Sequence, residues 1–225
     1  MADTTFLDRK DITHIVWDWN GTLLDDNHAN LAAVNAVCAG FGRAPVEMEY
    51  WRSVFRRPLV PCYEELLGRS LEADEWEGVE RLYDSSYLEH LHTCALTDGV
   101  PDVLHDWSGH GGTQSLLSMA GHDHLVPLVA ERGLSEHFTR IDGRRFATER
   151  DSKAEHLVRH LDQQGIDPAG VVLIGDIDDD ARAAHEAGAN ALLVATGLMA
   201  RDRLEATGAP VVDSPVAAVD ALRGR

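Results

Sequence analysis

The chain has 225 residues, 44% of them hydrophobic and 26% charged, enough for one globular domain with a sizeable insertion or for two small ones. Its formal charge of −18 argues against nucleic acid or an anionic membrane as a partner. No apolar run approaches the ~20 residues of a membrane-spanning helix, and the opening Met1-Ala2-Asp3-Thr4-Thr5-Phe6 lacks the basic and apolar regions of a leader, so a cytoplasmic protein is expected.

Residues 1–11 are polar and read as a loose lead-in. Ile15-Val16-Trp17 is a β-branched and aromatic run that predicts a buried strand over 13–18, and Asn20-Gly21 predicts a sharp turn just after Asp18. From His28 the apolar residues Leu31, Val34, Val37 and Cys38 fall at helical spacing, up to Gly40 or Gly42. Pro45 is expected to open a second helix carrying Met48, Trp51, Val54 and Phe55, which Arg56-Arg57-Pro58 breaks. A short helix over 63–67 ends at Gly68, and a long acidic one covers about 72–91. Beyond Leu96-Thr97-Asp98-Gly99 the pattern changes to alternation. Helices are predicted over 101–107, 125–131, 152–163, 179–187, 201–206 and 215–222, and strands over 113–118, 138–141, 171–174, 191–194 and 211–212. Such alternation specifies α/β architecture, a doubly wound parallel sheet, here with an all-helical insert. The expected division is a core of residues 1–26 and 96–225 with a helical cap over 27–95.

Cys38, Cys62 and Cys94 have no metal-like spacing and read as reduced, buried thiols. Lys10 and Lys153 are the only lysines. The aromatics Trp51, Trp76 and Tyr83 suit either the packing of the insert or a subunit interface, and oligomeric state is not legible.

Four polar positions fall at or just beyond predicted strand ends: Asp18, Ser118, Lys153, and Gly175-Asp176 with Asp180. Strand ends on one edge of a parallel sheet converge, so these residues can share one site. A carboxylate there can act as a nucleophile. Paired acids suit a hard cation, and a serine with a lysine suits phosphate oxygens.

Asp18-Trp19-Asn20-Gly21-Thr22 resembles the first motif of the haloacid dehalogenase superfamily, Asp-x-Asp-Gly-Thr in its phosphatases. Ser118, Lys153 and Gly175-Asp176 with Asp180 follow in that superfamily's order. A helical insert just after the first motif is similar to the phosphoglycolate-phosphatase-like branch. The resemblance implies a Mg²⁺-dependent phosphohydrolase acting on a small phosphorylated metabolite through an aspartyl-phosphate. It makes Asp18 the nucleophile and a metal ligand, Asn20 a ligand through its main-chain carbonyl, and Asp176 the third ligand supported by Asp180. Ser118 and Lys153, with Gly21 and Thr22, would bind the phosphate, and Arg56 and Arg57 are candidates for specificity in the cap, or simply an exposed basic pair. Cap movement is expected about hinges near 26–28 and 96–99.

Asn20 departs from the pattern, because an amide neither protonates a leaving oxygen nor activates water, assistance typically worth ~10²–10⁴-fold. One reading is a phosphatase whose substrate has a good leaving group, or in which another residue such as His28 supplies the proton. An alternative is a phosphate-binding or regulatory protein with little or no turnover. The superfamily's phosphonatases need a cap lysine, absent between Lys10 and Lys153, and its dehalogenases work without the metal that Asp176 and its neighbours suggest.

Overall fold

Residues 12–72, 74–145 and 152–224 are described by a computed structural model, and the expected lead-in over 1–11 lies outside them. The chain begins with β1 (His14–Trp17), passes through β2 (Leu24–Asp25), and enters the insert of α1 (Asn27–Gly40), α2 (Met48–Val54), α3 (Val60–Leu67) and α4 (Glu75–Leu91). It returns through β3 (Ala95–Leu96), antiparallel to β2 with Leu24 opposite Leu96. Next come α5 (Val100–Gly109), β4 (Thr113–Gly121), α6 (His122–Glu131), β5 (Ile141–Arg144) and α7 (Ala154–Asp162). The remainder is β6 (Val171–Gly175), α8 (Asp178–Ala187), β7 (Asn190–Val194), α9 (Arg201–Glu205), β8 (Val211–Val212) and α10 (Pro215–Arg223).

Six strands form one parallel sheet in the order β5-β4-β1-β6-β7-β8. Every residue of β1 and β6 is buried, as expected for central strands covered on both faces. Successive side chains alternate between the two faces. Ile15 and Trp17 join Val172, Ile174, Leu104, Trp107 and Val219 in one apolar cluster, while Val16 joins Leu117, Leu157, Leu173 and Ala183 in another. The doubly wound α/β architecture read from the sequence is the one found.

The insert has its own apolar centre, with Val34, Val37, Trp51, Tyr63 and Val79 buried together. Trp51 meets Phe55 and Tyr63 at centroid distances of 5.5 and 5.6 Å, and Trp76 packs edge-on against Tyr63 at 5.7 Å. These aromatics are therefore cap packing, and all three cysteines are free and buried, as expected.

Some elements differ from what periodicity predicts. The second helix starts at Met48 and not at Pro45, because the Asn35 side chain bonds both the N–H and the carbonyl of Val46, at 2.7 and 3.1 Å, and holds that segment out of the helix. β5 starts at Ile141 and not near Phe138, since 135–137 makes a tight 3₁₀ turn and the Phe138 side chain is drawn into the core. β4 continues past Ser118 to Gly121, and its register against β5 slips between Leu117 and Gly121. Ser118 thus sits at an irregularity within a strand rather than at its end.

Candidate active site

β1 and β6 run side by side with Trp17 opposite Ile174, and the Asp18 N–H continues the pairing to the Ile174 carbonyl at 2.8 Å. Asp18 and Asp176 consequently leave neighbouring strand ends. β1 is also where the chain's progress across the sheet reverses, with β4 and β5 on one side and β6 to β8 on the other. Open α/β sheets bind ligands at such a switch point.

Lys153 reaches this point from the residue before α7, and only 2% of it is exposed. Its Nζ donates to Asp18 Oδ1 and, at 2.5 Å, to Asp180 Oδ1. The two neighbouring acids of α8 fix the lysine from both ends. Asp179 Oδ2 accepts the Lys153 N–H at 3.0 Å, while its Oδ1 accepts the Ser152 hydroxyl at 3.0 Å. Asp180 Oδ2 accepts the Ile177 N–H at 3.2 Å, which locks its carboxylate against the helix start.

Negative charge is in excess. Asp18, Asp176 and Asp180 each bring a carboxylate oxygen within 4.8 Å of the others, all buried, with one ammonium among them. Burial pushes the Asp18 carboxyl up to about 7, Lys153 pulling it down and Asp180 pushing it further up. Burial, then the charges of Asp18 and Asp180, hold Asp176 well above the usual carboxylate range. Burial opposes the Lys153 ammonium, but Asp18 and Asp180 outweigh it and raise its pKa. Buried acids crowded in this way suit a hard divalent cation. The backbone keeps the space bare: a Cβ on Gly197 would stand 1.7 Å from Asp176 Oδ2, and one on Gly21 2.6 Å from the same atom. Gly21 also has φ +67°, where a side chain is strained.

The remaining expected residues divide. Ser118 is buried, donates to Asn20 Oδ1 at 3.3 Å and accepts the Ala120 N–H at 3.1 Å, so it lies beside the first motif. The Asn20 amide nitrogen donates to Asp26 Oδ2 at 2.9 Å and to the Tyr87 hydroxyl at 2.7 Å. The Gly21 N–H goes to Leu24 O at 2.9 Å and to Asp26 Oδ1 at 2.8 Å, and Thr22 is fully buried with its N–H on Trp19 O at 3.3 Å. The Arg56 guanidinium is held inside the cap by Glu65 at 2.8 Å and by the carbonyls of Val54 and Pro61. Arg57 instead lies close enough to Tyr83 for its charge to act on that phenol. His28 Nε2 bonds the Thr93 hydroxyl at 2.8 Å, across the two chain passages into the cap.

Sequence reasoning missed Asp26, Tyr87, Ser152 and the separate role of Asp179. Asp26 is 4% exposed and collects Gly21, Asn20 and Tyr87. The only sequence signal for it was a second acid directly after Asp25 at the start of a predicted helix.

A second polar run is sealed off from this site. Ser115 Oγ lies 2.8 Å from His160 Nε2, and His160 Nδ1 lies 2.7 Å from Asp142 Oδ2, which has the outline of a nucleophile with its base and orienter. Ser115 is fully buried in mid-strand and its oxygen also bonds His14 at 2.7 Å, so no substrate reaches it.

A switch-point cluster of acids around a buried lysine, on a doubly wound sheet with a helical cap, is an arrangement suited to phosphoryl chemistry. The chain belongs to the haloacid dehalogenase-like hydrolase family, whose sequence pattern matches residues 15–194. It is 29% identical to a phosphoglycolate phosphatase of Chromobacterium violaceum over 84% of this chain and 87% of that protein. It is 27% identical to an N-acetylmuramic acid 6-phosphate phosphatase of Pseudomonas aeruginosa over 95% and 96% of the two chains. Its fold matches that of a haloacid dehalogenase-like hydrolase from Streptococcus pneumoniae with a TM-score of 0.81, at 19% identity, over 93% of this chain and 97% of that one. Among the described residues no helix is long and apolar enough to cross a membrane.

Proposed function

We propose that the protein is a Mg²⁺-dependent phosphohydrolase that acts on a small phosphorylated metabolite through an aspartyl-phosphate on Asp18. The observation that carries this reading is the Lys153 ammonium held between Asp18 and Asp180 beside Asp176. Asp18 is the nucleophile: one of its oxygens bonds to phosphorus as the bond to the leaving oxygen breaks, and water then releases phosphate and restores the carboxylate. The two ion pairs of Lys153 use two of its three N–H donors, and the third serves a phosphoryl oxygen, joined by the Ser118 hydroxyl once its single proton turns from Asn20 Oδ1 to the substrate. Asp179 and Asp180 position the lysine. Asp18 and Asp176, with the main-chain carbonyl of Asn20, are the residues that would hold Mg²⁺, whose charge offsets repulsion between these acids and an anionic substrate. Arg57, on the side of the cap near Tyr83, is the better placed of the two cap arginines for substrate recognition. The names of the relatives support a small phosphorylated substrate and leave its identity open.

Asn20 sustains a second reading, a binding module with the same site. The two separate in one experiment: phosphate release from acyl, aryl and alkyl phosphates by wild type and Asp18→Asn, with and without Mg²⁺, alongside loading of Asp18 by BeF₃⁻. Turnover that needs both Mg²⁺ and Asp18 is the expected result. Phosphate binding with neither turnover nor loading in wild type would establish the module.

A further inference from the structure

The Asn20 side chain is tied into a closed hydrogen-bonded triangle. Its Nδ2 donates to Asp26 Oδ2 at 2.9 Å and to the Tyr87 hydroxyl at 2.7 Å, and that hydroxyl donates to the same Asp26 oxygen at 2.7 Å. Asp26 precedes α1 yet makes no side-chain cap on it; its other oxygen accepts the Gly21 N–H. A carboxamide has two N–H donors and one oxygen acceptor. Both donors are therefore committed, and the flipped amide would turn both of them away from Asp26 and the Tyr87 hydroxyl. What Asn20 turns toward Ser118 is Oδ1, which accepts the Ser118 hydroxyl at 3.3 Å.

Tyr87 belongs to α4, so the cap supplies one corner of the triangle. One turn earlier Tyr83 stacks on it, with centroids 5.7 Å apart and planes 8° apart. Tyr83 accepts from Asn30, and Asn30 accepts from Trp51 in the cap's aromatic centre, each at 2.7 Å. The orientation of Asn20 is thus coupled to the seating of the cap on the core.

Resting on the phosphohydrolase reading, we infer that the site selects phosphates whose leaving group departs as a stable anion, acyl and aryl phosphates, because Asp26 and Tyr87 fix Asn20 as an acceptor with no proton to give. In the first step an Asp18 oxygen bonds to phosphorus, the bond to the leaving oxygen breaks, and its electron pair stays on that oxygen. A carboxylate or phenolate tolerates this; an alkoxide does not. The Tyr87 proton is already donated to Asp26, and His28 is bonded to Thr93. In the second step Asn20 Oδ1 accepts a hydrogen bond from the attacking water and aims it. The water oxygen bonds to phosphorus, the pair of the breaking bond returns to the Asp18 carboxylate, and both water protons leave on dihydrogen phosphate. No base is required. Asp26 and Tyr87 are positioning residues for Asn20.

The test compares Mg²⁺-supported hydrolysis of acetyl phosphate, 4-nitrophenyl phosphate and glycerol 3-phosphate. Wild type is expected to favour the first two by about 10²-fold or more in kcat/KM. Exchanging the pair, Asn20→Asp with Asp26→Asn, keeps the hydrogen-bonded partners complementary while moving a carboxyl group to position 20, and is expected to narrow that ratio at least tenfold. Tyr87→Phe keeps the ring stacked on Tyr83; it is expected to lower kcat more than it changes KM. In ¹⁵N spectra, independent of activity, it should speed exchange of the Asn20 side-chain amide protons. Equal efficiency on alkyl and acyl phosphates in wild type overturns the selectivity and leaves the phosphohydrolase standing. Silence on all three substrates overturns both. An Asn20 amide unaffected by Tyr87→Phe overturns the positioning role.

Discussion

Lys153 shows why a single residue can hold this site together. A lysine in a pocket 2% exposed is costly unless its charge is matched, and here it is more than matched. The reverse dependence is as strong: without the ammonium, Asp18 and Asp180 would be buried acids with no counter-charge. Lys153→Met fills a similar volume but breaks the pairs, and removal of one partner from a buried ionic cluster typically costs about 3–5 kcal/mol. For a chain of this length that is a fall in Tm of roughly 10 °C at neutral pH, measured without divalent cation. The sign with pH follows. In the variant Asp18, which burial already pushes up to about 7, loses the Lys153 charge that pulls it down and rises further above its unfolded value, so protonation favours the fold and the deficit shrinks as pH falls toward 5. A deficit that grows on acidification would show that the lysine is not what pulls the Asp18 carboxyl down. Asp179 adds to the argument, since it holds the lysine's backbone rather than its charge.

At the scale of elements, three chain segments pass close to one carboxylate of the site. The turn after β1, the end of β6 and the turn after β7 converge on Asp176, whose Oδ2 accepts the Leu198 N–H at 2.9 Å. Gly197→Ala places a methyl group inside the space of that carboxylate, which is too short and too buried to swing clear. Mg²⁺ affinity, read by titration calorimetry with the metal alone, is expected to fall about tenfold or more, as for changes that reorient a ligand. Unchanged affinity would mean that Asp176 is not a ligand. What was legible beforehand follows the same division between local and assembled features. The apolar runs of β1 and β6, the helical spacing of α1 and the acids after β6 are written in neighbouring residues and point to Asp18, Asp176 and Asp180, while Lys153 stands out as one of two lysines, at the start of a predicted helix. The Asp26–Tyr87 contact joins residues 61 positions apart, and Tyr87 differs in no local way from the apolar face of α4 around it. Ser118 was found for its place on β4, but the slip of register that sets it beside Asn20 depends on pairing with β5. The segment before α2 reads as helix in sequence, because the Asn35 bonds to Val46 that hold it extended reach across from another helix.

For the molecule as a whole, the cap is seated on the core by arginines that the core offers to the ends of cap helices. Arg203 of α9 donates to Phe55 O at 2.6 Å and to Arg52 O at 3.3 Å, at the C-terminal end of α2. Arg132, following α6, donates to Cys94 O and reaches Leu91 O at 3.5 Å, at the C-terminal end of α4. Both satisfy carbonyls that a helix end leaves without partners, and both place a cation at the negative pole of a helix. Their positions differ in leverage. Arg132 acts next to β3, where β2 and β3 pair as the chain enters and leaves the cap, whereas Arg203 grips α2, far along the insert from that ribbon. A contact near a pivot resists opening less than one at a distance from it. Arg203→Ala should therefore loosen the cap more than Arg132→Ala, by about 1–2 kcal/mol for a partly buried charge at a helix end. Hydrogen exchange would show this as amides of α2 and α3 exchanging roughly tenfold faster while those of β1 and β6 keep their protection. The same variant should raise KM more than it lowers kcat, since a loosened cap weakens substrate capture and leaves Asp18 and Lys153 in place. Faster exchange spread evenly over cap and sheet would instead mark Arg203 as a contributor to global stability, with no particular hold on the cap.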